Sequence, residues 1–395
     1  MVKPLADLLV IDLSTMITAS FAAMQLAEQG ARVIKVEPME MGDPMRHLGT
    51  AKGGISGLFA NCNRGKESLR INLKEPEGQQ VVQTLAEKAD VLIHNFRPGV
   101  MDQLQLGSSR LRAANPRLIY CAISGFGTAG PLAGAPAYDP IVQAHTGMTD
   151  VQGDEGHAFI RNLICDKVTA YTACQAVTSA LYQRERTGNG EHIDISMLDA
   201  GLFFIFPDGF MADTLLDADA VPGPEIRNIY RKIRLKDGEI TISAANQKQM
   251  FGVLKAIGRE DLTTPEGMPE LMQILAIPTG FEDLINTAIA DWTTEQALAN
   301  MLAADVPCAR CLDRAEVLAQ PQLAANNTLA EVDHPHMGKL RAVRSPVRFG
   351  GAQFDMGRPC PAHGEHTHSI LQEAGLSAAE IETLAWQQIV APSAG

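Results

Sequence analysis

The 395-residue chain is short of positive charge, of cysteine and of long apolar runs. Lys and Arg number 33 against 46 Asp and Glu, a net charge of −13, so the basic footprint of a nucleic-acid binder is missing. Seven cysteines, an odd count without regular spacing, fit reduced thiols in a cytoplasmic enzyme rather than a disulfide framework. The longest apolar stretch, near residues 201–206, falls far below the roughly 20 residues a membrane span needs. Residues 1–13 are apolar but carry Lys3, Asp7 and Asp12, which makes a poor signal peptide. No internal repeat and no low-complexity tract is visible. The expectation is a cytoplasmic protein with neither a nucleic-acid nor a membrane partner.

Several catalytic signatures are also missing. The start reads strand–helix–strand, which invites a dinucleotide site, yet Ser14-Thr15-Met16-Ile17-Thr18 holds no glycine where backbone must approach pyrophosphate. Glu37 ends the second strand as a ribose-binding acid would, but alone it reads as a surface carboxylate. Arg64-Gly65-Lys66-Glu67 lacks the upstream glycine spacing and the hydroxyl residue of a P-loop. G-x-S-x-G and H-E-x-x-H are absent. Cys308 and Cys311 have redox or half-zinc spacing without a second pair, and read as packing thiols. Cys360, His363, His366 and His368 lie in a Pro/Gly loop with no carboxylate constellation, and read as a solvated loop rather than a metal site.

What remains is ordinary globular composition, 46% apolar and 20% charged, long enough for two or three domains. Apolar runs at 8–13, 31–37, 90–95, 118–124 and 192–197 predict strands. Helical patterns at 19–29, 75–88 and 166–184 alternate with them, so a mostly parallel α/β sheet is expected. Gly30 and Gly188 stand where helices should stop. After residue 210 the pattern changes: Pro222-Gly223-Pro224 reads as a linker, and Lys236-Asp237-Gly238 as the turn of a hairpin. Strand returns at 340–349, and a last helix is expected at 377–386. Asp166 follows an apolar triplet and opens a helix, the position of an N-cap.

A set of motifs spread along the chain changes the reading of Asp166. They are Gly30-Ala31-Arg32-Val33-Ile34-Lys35-Val36-Glu37-Pro38, Gly42-Asp43-Pro44-Met45-Arg46, Asn63-Arg64-Gly65-Lys66-Glu67-Ser68 and Asn95-Phe96-Arg97-Pro98-Gly99. Ser124-Gly125-Phe126-Gly127, Tyr138-Asp139, Val306-Pro307-Cys308 and Gly364-Glu365-His366-Thr367 follow in order. Together they resemble the class III coenzyme A transferase family (CaiB/BaiF), the formyl-CoA and carnitine-CoA transferase type.

The resemblance implies a Rossmann-like large domain from residues 1–222 together with 331–395, and a smaller α+β domain from 223–330. It implies a homodimer of two subunits interlocked as linked rings. Asp166 matches the family nucleophile. Met16, Ile17, Lys74, Asn95, Phe96, Arg97, Leu104, Tyr138 and Asp139 match coenzyme A-contacting segments. The implied activity moves coenzyme A between carboxylic acids through an aspartyl-CoA thioester, with acyl-CoA as substrate and no permanently bound cofactor or metal.

The chain also departs from the family pattern. Ile17 stands where the formyl-CoA enzyme has glutamine, Ala19-Ser20 replaces a frequent Gly-Pro, and Gln103 and Pro136 replace basic residues. Lys74, Arg46 or Arg97 are then left to meet the pyrophosphate. Residues 221–225 are not a glycine-rich flap. These departures argue against the formyl/oxalate pair. Two rival readings are a 2-methylacyl-CoA racemase and a non-catalytic coenzyme A-binding protein. The racemase branch needs a His/Asp pair, and Tyr138 occupies the histidine position.

Overall fold

The computed structural model describes residues 3–153, 156–277, 279–350 and 357–391. Contacts divide the chain into one unit of Met1–Pro207 with Ala324–Gly395 and another of Asp208–Leu323. These limits fall earlier in the chain than residues 222 and 330.

The first unit is built on six parallel strands: β1 (Leu9–Asp12), β2 (Arg32–Glu37), β3 (Lys66–Arg70), β4 (Val91–His94), β5 (Ile119–Ser124) and β6 (His192–Ser196). Their order is β3-β2-β1-β4-β5-β6. The order reverses at β1, which opens a crevice beyond the carboxyl ends of β1 and β4. The apolar runs are buried because helices cover both faces. Ile11, Ile34, Leu92 and Tyr120 pack with Val82 of α2 (Pro76–Ala86) and with Ile370, Leu371 and Leu384 from the end of the chain. Each fully buried aliphatic contributes about 1.5–3 kcal/mol.

Two helices aim at the crevice. Helix α1 (Thr18–Glu28) buries Ala19, Ala22, Ala23 and Ala27. These small side chains let it lie along α4 (Ile164–Thr187). The ring of Phe21 meets Tyr171 edge-on at 5.7 Å, and Gln29 Nε2 lies 3.6 Å from Cys174 Sγ. The two helices therefore run in the same direction, with their N-termini together. Helix α4 stops where expected: Gly188 takes φ 78° and its N–H bonds the Arg184 carbonyl.

Strand β3 was not predicted, because Lys66-Glu67-Ser68-Leu69-Arg70 has no apolar run. Its charges are buried with partners. Lys66 Nζ donates to Asp12 Oδ2 at 2.7 Å, to the Ser20 carbonyl at 2.8 Å and to Asn63 Oδ1 at 2.8 Å. Beside it, Lys35 Nζ bonds the Ser14 carbonyl at 2.9 Å and pairs with Asp43 at 2.9 Å. Burial works to raise the Asp12 carboxyl, but the two ammonium groups outweigh it and hold it below its ordinary value. Burial pushes Lys66 down to about 8.

Glu37 is not the surface carboxylate expected from sequence. It is 1% exposed and takes a two-pronged contact from Arg46, at 2.8 and 2.7 Å. Despite burial, this pairing holds its carboxyl down at about 2. Arg46 also donates to the Pro361 carbonyl at 3.1 Å and lies 3.8 Å over the Phe59 ring. Each of its nitrogens is bonded and the side chain is buried, so it is not free to meet a pyrophosphate.

The second unit holds a three-stranded antiparallel sheet of β7 (Ile233–Leu235), β8 (Gly238–Ile242) and β9 (Cys308–Arg310), in the order β9-β8-β7. Leu235 faces Gly238 across the expected hairpin. Ile240, Val253, Leu254, Ile289, Ala297 and Met301 form its core. Among the described residues, no helix is long and apolar enough to cross a membrane. All seven cysteines are free thiols.

Candidate active site

Beyond β1 the backbone is clamped before it enters α1. Asn95 takes the Thr15 N–H at 3.0 Å and returns its own amide N–H to the Thr15 carbonyl at 2.7 Å. Met16 follows in a left-handed conformation, φ 60°. Such a backbone costs a non-glycine residue about 1–3 kcal/mol and survives only where surroundings impose it. Here Asp43 Oδ1 accepts the Met16 N–H at 3.1 Å. The kink sends Ile17 inward to pack in the cluster of Met45, Ile55 and Phe59. It brings Thr18, the first residue of α1, to the crevice.

Asp166 stands in the first turn of α4, at its third residue, and not at the N-cap as expected. The N-cap is Leu163, which offers no side-chain bond. Capping comes instead from a distant carboxylate: Asp139 Oδ1 accepts the Asp166 backbone N–H at 3.0 Å. Asp139 opens α3 (Asp139–His145), is 1% exposed, and takes a second bond from Gln143 Nε2 at 2.7 Å. This frees the Asp166 side chain from capping. Its Oδ1 accepts a short hydrogen bond from the Thr18 hydroxyl. Among the described residues no donor reaches Oδ2. Burial pushes the Asp166 carboxyl up to about 6, opposed by the Thr18 bond and aided by the Asp139 charge, while Lys167 pulls it down. At pH 7 about nine-tenths of it remains ionised.

These groups line one cleft of about 450 Å³. Thr15, Met16 and Thr18 enter from the β1 side, Asn95, Phe96 and Arg97 from the end of β4, and Ser124–Gly127 from the end of β5. Tyr138, Asp139, Asp166 and Met197 complete the wall. At Gly125 a Cβ would lie 2.2 Å from that of Ala137, so only glycine lets the 134–138 loop close on this edge. Of the residues picked from sequence, Met16, Asn95, Phe96, Arg97, Tyr138, Asp139 and Asp166 line the cleft. Ile17, Lys74 and Leu104 do not: Ile17 is buried, Lys74 is exposed, and Leu104 packs against the sheet core. Thr18 was missed, because its contact with Asp166 spans 148 positions and no local spacing signals it.

The profile of CoA-transferase family III matches residues 5–367. The chain belongs to that family. It is 35% identical over 367 residues to an acetyl-CoA:oxalate CoA-transferase of Acetobacter aceti, covering 90% of this chain and 92% of the relative. It is 29% identical to the human succinyl-CoA:glutarate CoA-transferase, over 94% of this chain and 86% of that one. Among solved structures it is similar to a CAIB/BAIF family protein from Brucella suis. That likeness has a TM-score of 0.80 at 28% identity, covering 95% of this chain and all of the other. This CoA-transferase thus carries out an exchange between an acyl-CoA and a carboxylic acid, and needs a site that binds a thioester and shields it from water. The cleft at the sheet's switch point offers an ionised carboxylate with one oxygen held and the other open.

Proposed function

We propose that this CoA-transferase moves coenzyme A between carboxylic acids with Asp166 as the nucleophile. The observation that carries this is the half-buried Asp166 carboxylate, fixed at Oδ1 and, among the described residues, unencumbered at Oδ2, in the cleft beyond β1 and β4. Asp166 Oδ2 attacks the donor thioester carbonyl and the C–S bond breaks. The products are a mixed anhydride and the coenzyme A thiolate. The thiolate then attacks Asp166 Cγ, the Cγ–Oδ2 bond breaks, and the donor acid leaves. An aspartyl-CoA thioester remains, and the acceptor carboxylate runs the same steps in reverse.

Met16, Asn95, Phe96, Arg97, Tyr138 and Asp139 are the proposed coenzyme A side of the cleft, with exposed Lys74 and partly buried Leu104 as further contacts outside it. Ile17 would contribute through its backbone only. Arg97 is the one cation among the described lining residues, which suits it to a phosphate or to a carboxylate. Names of the relatives, oxalate and glutarate, favour a short dicarboxylic acid as one partner.

The racemase reading loses ground on one observation. Both oxygens of Asp139 are engaged, by Asp166 N–H and by Gln143, and no histidine is among the described lining residues. A linked homodimer belongs to the same proposal. Large apolar side chains stand in solvent on the single chain, among them Phe203 at 84%, Leu216 at 93% and Trp386 at 86% exposure. Exposed apolar side chains of this size are available to an association surface. A cytoplasmic location with coenzyme A thioesters as the only cofactor-like ligand completes the reading.

The deciding experiment mixes enzyme with an acyl-CoA donor alone, adds hydroxylamine and maps the hydroxamate by mass spectrometry. The mark is expected on the peptide containing Asp166. A mark on another carboxylate, or none, overturns the assignment.

A further inference from the structure

Thr18 holds the oxygen of Asp166 that the chemistry keeps. The proposed nucleophile attacks through Oδ2, and Oδ2 leaves with the donor acid. Oδ1 never leaves: it is the carbonyl oxygen of the anhydride and then of the aspartyl-CoA thioester. Each time a thiolate or a carboxylate adds to Cγ, the negative charge of the tetrahedral adduct falls on Oδ1. The Thr18 hydroxyl already donates to that atom.

We propose that Thr18 is a catalytic residue, the hydroxyl donor that stabilises the oxyanion formed at Asp166 Cγ. The proposal rests on the reading of Asp166 as nucleophile and adds to it which steps are assisted. In the first attack, charge flows out of the carboxylate toward the donor carbonyl, and a bond to Oδ1 gives no help. In the second, charge flows onto Oδ1 from a nearly neutral carbonyl, and the same bond strengthens. The donor thus favours the steps at Cγ selectively, as differential stabilisation requires.

Its setting is rigid. Thr18 is 3% exposed, begins an alanine-rich helix packed along α4, and follows a backbone fixed by Asp43 and Asn95. Met197 Sδ lies 4.0 Å from its hydroxyl and competes little as an acceptor. The charged groups near Asp166 are Asp139, from α3, and Lys167, on its own helix. Both Asp139 oxygens already accept, from the Asp166 backbone N–H and from Gln143, so Asp139 is not a donor here. Burial keeps the neighbouring Cys165 thiol protonated, pushed up to about 12.

The test compares wild type with Thr18→Val and Thr18→Ser in the full-length enzyme, given acyl-CoA without acceptor. Wild type should accumulate the aspartyl-CoA thioester with little free coenzyme A. In Thr18→Val the first attack still occurs, but thiolate addition to Cγ slows by about 10²–10³-fold, the loss seen when one oxyanion donor is removed. The anhydride then yields to water, and free coenzyme A and donor acid are released in place of the adduct. Thr18→Ser keeps the hydroxyl and should restore the adduct to within a few fold. Equal adduct formation in wild type and Thr18→Val overturns the role of Thr18 and leaves Asp166 standing. Absence of any hydroxylamine-sensitive adduct in wild type instead overturns the reading of Asp166 beneath it. Thermal melts of each variant exclude unfolding as the cause, and Thr18→Ser carries the conclusion should Thr18→Val fail to fold.

Discussion

Two aspartates sit in the same unit, Asp12 fully buried and Asp166 half-buried, and their surroundings drive them in opposite directions. Asp12 lies under the sheet's carboxyl edge with Lys66 at 2.7 Å and Lys35 at 3.8 Å. Asp166 lies at the cleft with a neutral hydroxyl, the Asp139 charge and, among the described residues, no ion-pair partner, Lys167 acting on it only weakly. The first is held below its ordinary pKa and the second is raised to about 6. Burial is thus not what separates a structural carboxylate from a reactive one. The separation comes from whether the buried charge is neutralised or left for a substrate to use.

The comparison breaks most visibly in activity. Asp166→Asn should lose about 10⁴-fold or more of transfer rate while keeping the fold, since a neutral amide cannot replace the nucleophile. Steady-state assay with circular dichroism on the same sample checks both halves. Transfer at near wild-type rate would remove Asp166 from the chemistry.

Next comes stability, where the same substitution should have opposite signs at the two positions. Asp12→Asn leaves the Lys66 ammonium buried without its anion, while Lys35 keeps Asp43, and should destabilise by about 3–5 kcal/mol. Asp166→Asn should instead stabilise at pH 8, by up to about 3 kcal/mol on a rise from 3.8 to about 6. Above pH 6 the carboxylate is ionised in both states and is costlier folded than unfolded. Below about pH 4 it is protonated in both, and the difference vanishes. Melts between pH 4 and 8 read this directly: a gain at Asp166→Asn that does not fade in acid would contradict the assigned cause.

The smallest expected effect sharpens the picture around Asp139. Asp139→Asn keeps an acceptor for the Asp166 N–H but removes the negative neighbour. Stability should fall by about 1 kcal/mol, within the range for altered caps. The acid limb of the rate profile should move below 6, because the repulsion that helps raise Asp166 is gone. A limb that stays or moves upward would mean that Asp139 does not act on Asp166 through charge.

Local patterns revealed the sheet and left its ionic underside hidden. β1, β2, β4, β5 and β6 were legible because parallel strands covered on both faces are written as apolar runs. β3 was not, because Lys66 and Ser68 are buried by pairing with Asp12 and Glu37, and pairing across a sheet leaves no periodicity. Many residues that carried the family resemblance prove to be such partners: Lys35, Glu37, Asp43, Arg46 and Lys66 build the foundation beneath the cleft. Asp166 was legible as the start of a helix. Its true capping group, Asp139, and its hydroxyl partner, Thr18, are 27 and 148 positions away. The backbone kink at Met16 carries no mark in its residue type.

The ionic foundation also imposes an order in time. Arg46 finds the Pro361 carbonyl 315 positions later, and Ser68 Oγ receives the Gly364 N–H 296 positions later. At 5–20 residues per second, the ribosome needs roughly 15–60 s to bridge the first of these intervals. During that time Arg46 and Ser68 lack those partners and keep water instead. Arg46 and Ser68 both bond Glu37, which also accepts the Asp43 N–H, so the tail completes this group last.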